Sequence, residues 1–372
     1  MLPPEVWQDI GQYLPHKQRL HLRLVCKELA DYLFPYKVTR PRGWSPLLAK
    51  VHELDLTGSK YIPTTDQLKQ LVNLVSLTID NIPHIRDVSF LTQLKSLSVK
   101  GNSGVTQECV AKLVNLTAIY FDDNLTITDL NTCHNLRIVH GSTSLTQKGI
   151  RNLTQVTELV CPYGQLTDVS HMTKLQTLII AETKVGQDSI SCLKRLHKLD
   201  CSHCPVYDLS VCPNLVSVRA VACPLTRINC PKLQELNCCG ITSLYDLSHL
   251  TNLRELIARN SSIKKVPHSL EILDCSNCKS LTDIGHCHSL RVLHANYSNI
   301  TQQSIYQLTR LVEIYIDGNK TINDLRHLKD LRKISATKDA ALALQGVEGL
   351  TGVEITCWAN KGFPMMHKIV RL

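Results

Sequence analysis

The sequence predicts a small all-α module followed by an α/β solenoid, with a parallel β-sheet on its concave face and short turns or helical turns on its convex face. Three observations lead there. First, an apolar form, L-x-x-L-x-(L/V/I/A/C), recurs along most of the 372 residues, as in Leu94-Lys-Ser-Leu97-Ser-Val99, Leu175-Gln-Thr-Leu178-Ile-Ile180 and Leu253-Arg-Glu-Leu256-Ile-Ala258. Second, aromatics make up 5% of the chain although 43% is hydrophobic, so Leu, Ile, Val and Cys must fill a thin, repetitive core. Third, residues 2–34 do not fit the repeat and show helical spacing instead.

Leu2-Pro3-Pro4-Glu5 suits a helix start, since proline is tolerated in a first turn and an acid favours the positive helix end. Val6, Ile10, Tyr13 and Leu14 then share one apolar face, and Pro15 ends the helix. Leu20, Leu24 and Val25 make a second apolar set, and Leu29 and Leu33 a third before Pro35. Three such helices are a poor independent core and need a partner or the adjoining repeats. The expected module spans 1–40, with Arg40-Pro41-Arg42-Gly43-Trp44-Ser45-Pro46 opening a linker over 41–50.

Repeats are expected over 51–358. The second position of the form falls at Leu54, Leu77, Leu97, Ile119, Val139, Leu159, Leu178, Leu199, Val218, Leu236, Leu256, Leu273, Leu293, Ile314, Ile334 and Val353, with spacings of 17 to 23 residues and about sixteen units in all. Alternation points two side chains of each short strand inward, and stacking hides an edge that no single unit can bury. Three residues beyond the second inward position a polar column is expected to satisfy the turn: Asn102, Asn124, Ser144, Thr183, Cys204, Cys223, Ser261, Cys278, Ser298 and Asn319. Ile82, Gly164, Ile241, Asp339 and Trp358 break it. A slower rhythm lies beneath. Asp87, Asp129, Asp168, Asp208, Asp246, Asp283 and Asp324 sit in apolar-x-Asp-apolar turns 37 to 42 residues apart, and Gln107, Gln147, Gln187 and Gln302 mark intervening units. The effective period is a pair of units, with Asp and Gln bracing alternating outer turns. A tail over 359–372 is expected to close the stack, with Trp358, Phe363 and Met365 shielding its last unit.

The N-terminal residues Leu2-Pro3-x-Glu5, Ile10, Leu14 and Leu24-Val25-Cys26-Lys27 resemble an F-box, the motif that docks onto the Skp adaptor of cullin-based ubiquitin ligases. The resemblance covers about 33 residues. It implies that Leu2, Pro3, Ile10, Leu14, Leu24, Val25 and Cys26 contact a Skp-type adaptor and, through it, a cullin complex. Two departures are Leu29, where the family often has tryptophan, and His16-Lys17-Gln18-Arg19-Leu20 in place of an acid followed by leucines. The alternative reading of these helices is a cap sealing the first repeat. The mixed Asn and Cys column, with Cys212-Pro-Asn-Leu215 and Cys230-Pro-Lys-Leu233, resembles the cysteine-containing leucine-rich repeats of many F-box proteins, in short internalin-like units.

A protein target is expected on the concave face. Tyr120, His140, Val160 and Ile179 follow the inward residue in four successive units and are joined by Ile138; Tyr315, with Glu313 and Asp317, is a second candidate. The bland alternative is the β-propensity of branched and aromatic residues. Cys201-Ser-His-Cys204 and Cys275-Ser-Asn-Cys278 have metal-ligand spacing, but lie four units and about 19 Å apart at the usual strand spacing. They are expected to be structural thiols, with Cys204 and Cys223 close enough to pair under oxidation. No cofactor, metal or catalytic residue is expected, because no nucleophile elbow, phosphate loop or metalloprotease helix is present.

The formal charge of +9 is spread out: residues 1–50 hold eight Lys and Arg against four Asp and Glu, and the remainder adds a surplus of five. A dense basic stripe with interleaved aromatics is missing, so no nucleic-acid partner is expected. Neither a secretory signal nor an apolar run of about 18 residues occurs, so no membrane partner is expected either and the sixteen cysteines read as thiols in the cytoplasm or nucleus. The sequence thus reads as a non-catalytic substrate receptor of a Skp–cullin–F-box ligase, with a scaffold or decoy lacking any ubiquitin role as the alternative.

Overall fold

The computed structural model describes residues 37–44, 46–141, 143–337, 345, 354–358 and 368–371. The chain divides into two compact units, Met1–Leu166 and Thr167–Leu372.

In the N-terminal unit, β1 (Lys37–Thr39), β2 (Glu53–Asp55), β3 (Ser76–Thr78), β4 (Ser96–Ser98), β5 (Ala118–Tyr120), β6 (Ile138–His140) and β7 (Glu158–Val160) pair in parallel, each with the next. The sheet therefore takes in Lys37–Thr39, ahead of the segment expected as a linker. Each central residue from Leu54 to Val139 pairs with its counterpart one unit on, the last being Leu159, so the repeat spacing sets the register. The outer side carries a short helix α1 (Thr65–Lys69), a second, α2 (Gln107–Ala111), and a 3-10 turn at Lys148–Ile150. α1 opens on a reciprocal cap: Thr64 Oγ1 accepts from Gln67 N–H and Gln67 Oε1 accepts from Thr64 N–H.

In the C-terminal unit, β8 (Thr177–Ile179), β9 (Lys198–Asp200), β10 (Ser217–Arg219), β11 (Glu235–Asn237), β12 (Glu255–Ile257), β13 (Ile272–Asp274), β14 (Val292–His294), β15 (Glu313–Tyr315), β16 (Lys333–Thr337) and β17 (Glu354–Trp358) continue in parallel. β18 (Lys368–Arg371) adds to β17 in the antiparallel sense. Helices α3 (Gln187–Ser191) and α4 (Gln302–Ile305) lie on the outer side. One register expectation is corrected here. Ile334 pairs with Ile355, so Ile355 rather than Val353 takes the central place in the last repeat. The two-residue shift preserves the period-two alternation of a strand, which is why Val353 satisfied the apolar pattern. Phe363 and Met365 lie outside the described residues, as does the side chain of Trp358.

The core is the stack of inward positions. Leu94, Leu97 and Val99 of one unit, and Leu290, Leu293 and Ala295 of another, have no exposed surface. Fully burying each leucine contributes roughly 1.5–3 kcal/mol.

The paired rhythm has a physical basis in the outer turns. In all seven Asp turns the carboxylate Oδ1 accepts the backbone N–H two residues on, for example Ser89 to Asp87 at 2.8 Å and Gly285 to Asp283 at 2.9 Å. The glutamines clamp the turn of the next unit. Gln187 Oε1 accepts from the N–H groups of Tyr207 and Asp208, and its Nε2 donates to Asp208 O. Gln107 does the same at Thr128 and Asp129, and Gln302 at Asn323 and Asp324. Two residues after the glutamine, the same helix reaches back: Ser189 and Ser304 hydroxyls donate to Asp168 and Asp283. One short helix thus fastens the Asp turns on both sides of it.

Many of the sheet-to-turn corners among the described residues contain a residue in the left-handed region. Glycine fills it at Gly58, Gly101, Gly240 and Gly318, but Asn81, Asp123, Tyr163, Glu182, His203, Ala222, Asn260, Asn277 and Tyr297 hold it elsewhere. Such a residue is strained by about 1–2 kcal/mol, so packing on both sides must hold the corner. The polar column works as expected. Asn124 Nδ2 donates to Val99 O at 2.8 Å, Cys204 Sγ to Ile180 O at 3.1 Å, and Cys278 Sγ to Ala258 O at 2.8 Å. Asn102 is the exception: it is exposed, and Ser103 takes the buried place. The chain advances by one residue there because Gly104 passes so close to Pro83 that a Cβ would fall 2.2 Å from its carbonyl oxygen.

Candidate functional site

Leu2, Pro3, Ile10, Leu14, Leu24, Val25 and Cys26 lie outside the described residues.

The sheet face expected to take a target can be built column by column. In the N-terminal unit, strand register places Tyr120 beside His140 and His140 beside Val160 in one column, with Ala118, Ile138 and Glu158 in the other. Tyr120 and His140 meet edge to face with ring centroids 4.8 Å apart, a favoured aromatic geometry. Lys100 Nζ stands 5.6 Å from the Tyr120 ring centroid and 2.8 Å from Asp122 Oδ2. His140 Nε2 lies 2.8 Å from Glu158 Oε1. Tyr120, Ile138, His140 and Val160 are half-buried, so they form a self-braced surface rather than a loose apolar patch.

In the C-terminal unit, Ile179 is half-buried in β8 and its register partner is Asp200, so its column turns polar at once. Tyr315 belongs to a second aromatic pair whose other member, His294, the sequence reading missed. The rings stack with centroids 4.0 Å apart and 6° between planes. Lys333 Nζ lies 5.3 Å from the Tyr315 centroid, and the Tyr315 hydroxyl donates to Glu313 Oε2 at 2.7 Å. Burial holds the His294 imidazole below its usual range, with Asp274 opposing that shift, and burial raises the Tyr315 phenol. A neutral imidazole stacked on a neutral phenol ring follows. Asp317 is half-buried and pushed up by desolvation, and accepts from Ser335 Oγ at 3.1 Å. His294 could have been found by the rule that found Tyr120, since it directly follows the inward Leu293.

The cysteines are core groups. Cys201, Cys204, Cys275 and Cys278 are buried, and burial is the leading or second cause raising Cys201, Cys204 and Cys275. Burial also pushes Cys161, Cys230 and Cys287 up to about 12. Such thiols stay protonated at neutral pH and act as donors to neighbouring carbonyls. The short thiol contact joins Cys223 to the inward Cys201, 3.9 Å apart, rather than to the turn-column Cys204. The strand ladder carries the Cys223 side chain back over the preceding strand end, where its Sγ also meets Cys201 O at 2.9 Å. Among the described residues, no group of three or more His, Cys, Asp and Glu is arranged to hold a metal. None of their helices is long and apolar enough to cross a membrane.

Comparison with known proteins gives the two halves of the architecture separately. Residues 1–33 match the F-box domain model. No curated protein matches the chain. Among solved structures, the functional domain of InlJ from Listeria monocytogenes, described as including a cysteine ladder, is similar at TM-score 0.54 and 20% identity, over 78% of this chain and 68% of that one. The Leptospira interrogans leucine-rich-repeat protein LIC12759 is similar at TM-score 0.53 and 18% identity, over 85% of this chain and 88% of that one. At these identities the likeness establishes the fold alone. The chain is an F-box at residues 1–33 followed by a leucine-rich-repeat-like parallel β-solenoid.

Proposed function

We propose that the protein is the substrate-recognition subunit of a Skp–cullin–F-box ubiquitin ligase. The observation that carries this reading is the joining, in one chain, of an F-box with a solenoid whose sheet presents braced aromatic columns. Leu2, Pro3, Ile10, Leu14, Leu24, Val25 and Cys26 hold the Skp-type adaptor, whose cullin complex supplies the transfer chemistry. Tyr120, Ile138, His140 and Val160 hold a protein target, aided by Ile179 and by Tyr315 with His294. The chain itself is non-catalytic: it raises the effective concentration of the target at the ligase, and its contribution to rate is proximity. A surface of Tyr and His rings with Lys and Glu at its border suits a protein partner, since aromatic anchors with polar rims dominate such interfaces. The protein acts inside the cell, where both the adaptor and reduced thiols are found.

The test is co-expression with a Skp-type adaptor and its cullin, followed by affinity purification. Wild-type protein is expected to retain both. A Leu24→Asp/Val25→Asp variant with unchanged circular dichroism is expected to lose them. Failure of the wild type to bind leaves the scaffold reading in place of the receptor reading.

A further inference from the structure

The ends of the strands in the C-terminal unit differ sharply in charge. The four residues before each of β8 to β16 (173–176, 194–197, 213–216, 231–234, 251–254, 268–271, 288–291, 309–312 and 329–332) hold nine Lys or Arg against two acids, Glu271 and Asp330. The four residues after each of β8 to β15 hold one cation, Arg259, against Glu182 and Asp317. A surplus of seven charges therefore lies along one edge, and the opposite edge is slightly acidic. Fields of this kind steer oppositely charged partners from a distance.

The edge also has a cleft of about 580 Å³, where Arg291, Arg310 and Arg332 converge with Ser289, Glu271 and Asp330. All three guanidiniums are exposed, and none makes a hydrogen bond or ion pair with another described residue. Glu271 is already engaged by Arg254, so Asp330 is the only acid of the cleft without such a partner among the described residues. A second cleft of about 260 Å³, containing Arg254, His268 and Ser269, continues the same edge.

We propose that this three-arginine cleft binds an acidic protein segment through its clustered carboxylates. Guanidinium forks match carboxylates two bonds at a time, which a lysine cannot do. Arg291 and Arg332 stand two repeats apart, a span of roughly 10 Å at the usual strand spacing. About three residues of extended chain cover that distance. A segment crossing the strand ends with acids about three residues apart therefore meets Arg291 and Arg332, with Arg310 between them. The site belongs to the loop edge, not to the aromatic columns of the sheet face, and it does not depend on adaptor binding.

The test is fluorescence anisotropy of full-length protein with a fluorescein-labelled decaglutamate peptide, alongside a single-stranded RNA decamer. Wild-type protein is expected to bind the peptide, more weakly as salt rises. An Arg291→Ala/Arg310→Ala/Arg332→Ala variant is expected to bind it roughly tenfold more weakly or worse, the scale of three lost exposed ion pairs. An Arg86→Ala/Lys112→Ala/Arg151→Ala variant removes the same charge from the N-terminal unit and is expected to bind like wild type. Equal loss in both variants, or no loss in the first, overturns the site. Tighter binding of the RNA than of the peptide, abolished in the first variant, overturns the choice of partner.

Discussion

The two units share a backbone plan and fill it differently. In the N-terminal unit, the second inward position reads Leu56, Ile79, Val99, Phe121, Gly141 and Cys161, all buried. In the C-terminal unit the same position reads Ile180, Cys201, Ala220, Cys238, Ala258, Cys275, Ala295, Ile316 and Ala336. One unit accommodates a fully buried phenylalanine because its ladder neighbour is glycine: a Cβ on Gly141 would stand 3.2 Å from Phe121 Cζ. The other alternates cysteine and alanine from Cys201 to Ala295, and its turn-column thiols Cys204 and Cys278 supply donors that the carboxamide of Asn124 supplies elsewhere. The parallel ladder fixes the backbone, while core volume needs to balance only between adjacent repeats.

The largest expected effect separates the two fillings. Phe121→Ala is expected to cost about 3–5 kcal/mol in chemical denaturation, because Gly141 leaves nothing to close the cavity. Cys238→Ala, among small neighbours, is expected to cost about 1 kcal/mol, since little more than one buried heavy atom is lost. Equal costs would show that the fillings do not differ in the way described. Next in size are the clamps. Gln107→Ala and Gln187→Ala each remove three hydrogen bonds to the following Asp turn, and each is expected to cost about 1–3 kcal/mol. Here the two units should agree, and a large difference would sink the idea of one paired device serving both.

Acid stability offers a contrast of sign. Asp168 is held below the usual carboxylate range by the Ser170 N–H and the Ser189 hydroxyl, so its contribution is present above about pH 4 and disappears as pH falls through its folded value. Asp317 is raised by burial, so ionising it opposes the fold as pH climbs from about 4 upward. Relative to wild type, Asp168→Asn should therefore lose stability as pH rises from 3 to 7, and Asp317→Asn should gain it. Denaturation midpoints across that range would show whether the two variants diverge. The smallest effect belongs to the corners: Ala222→Gly is expected to stabilise by up to about 1 kcal/mol by relieving the left-handed alanine, read as a shift in the same midpoint.

Much of this was legible in the spacing. Within each unit the central residues, Leu54 to Leu159 and Leu178 to Ile334, fall in register because a parallel ladder one repeat long forces equal positions to pair. The Asp and Gln rhythm pointed to braced outer turns, because few side chains other than carboxylates and carboxamides can satisfy a run of turn N–H groups. The left-handed corners were not legible. Glu182, Tyr163 and Ala222 hold a conformation that favours glycine, and only the packing of neighbouring repeats imposes it. The Ser103 substitution for Asn102 was hidden for a similar reason, since the pressure of Gly104 on Pro83 is a contact between repeats. On the sheet face, Tyr120 and Tyr315 were visible as outward aromatics. Their partners Lys100 and Lys333 were not, nor was Glu158 beside His140, because each comes from another strand or its end.

On the proposed function, adaptor capture and target capture occupy separate parts of one chain. Isothermal titration of a purified Skp-type adaptor into three proteins tests it most directly: wild type, Leu24→Asp/Val25→Asp and Tyr120→Ala/His140→Ala. One-to-one binding by the wild type and the aromatic variant, with none by the Leu24/Val25 variant, is the predicted result. Undiminished binding by the Leu24/Val25 variant, or loss in the aromatic variant while its denaturation midpoint is unchanged, would contradict the account.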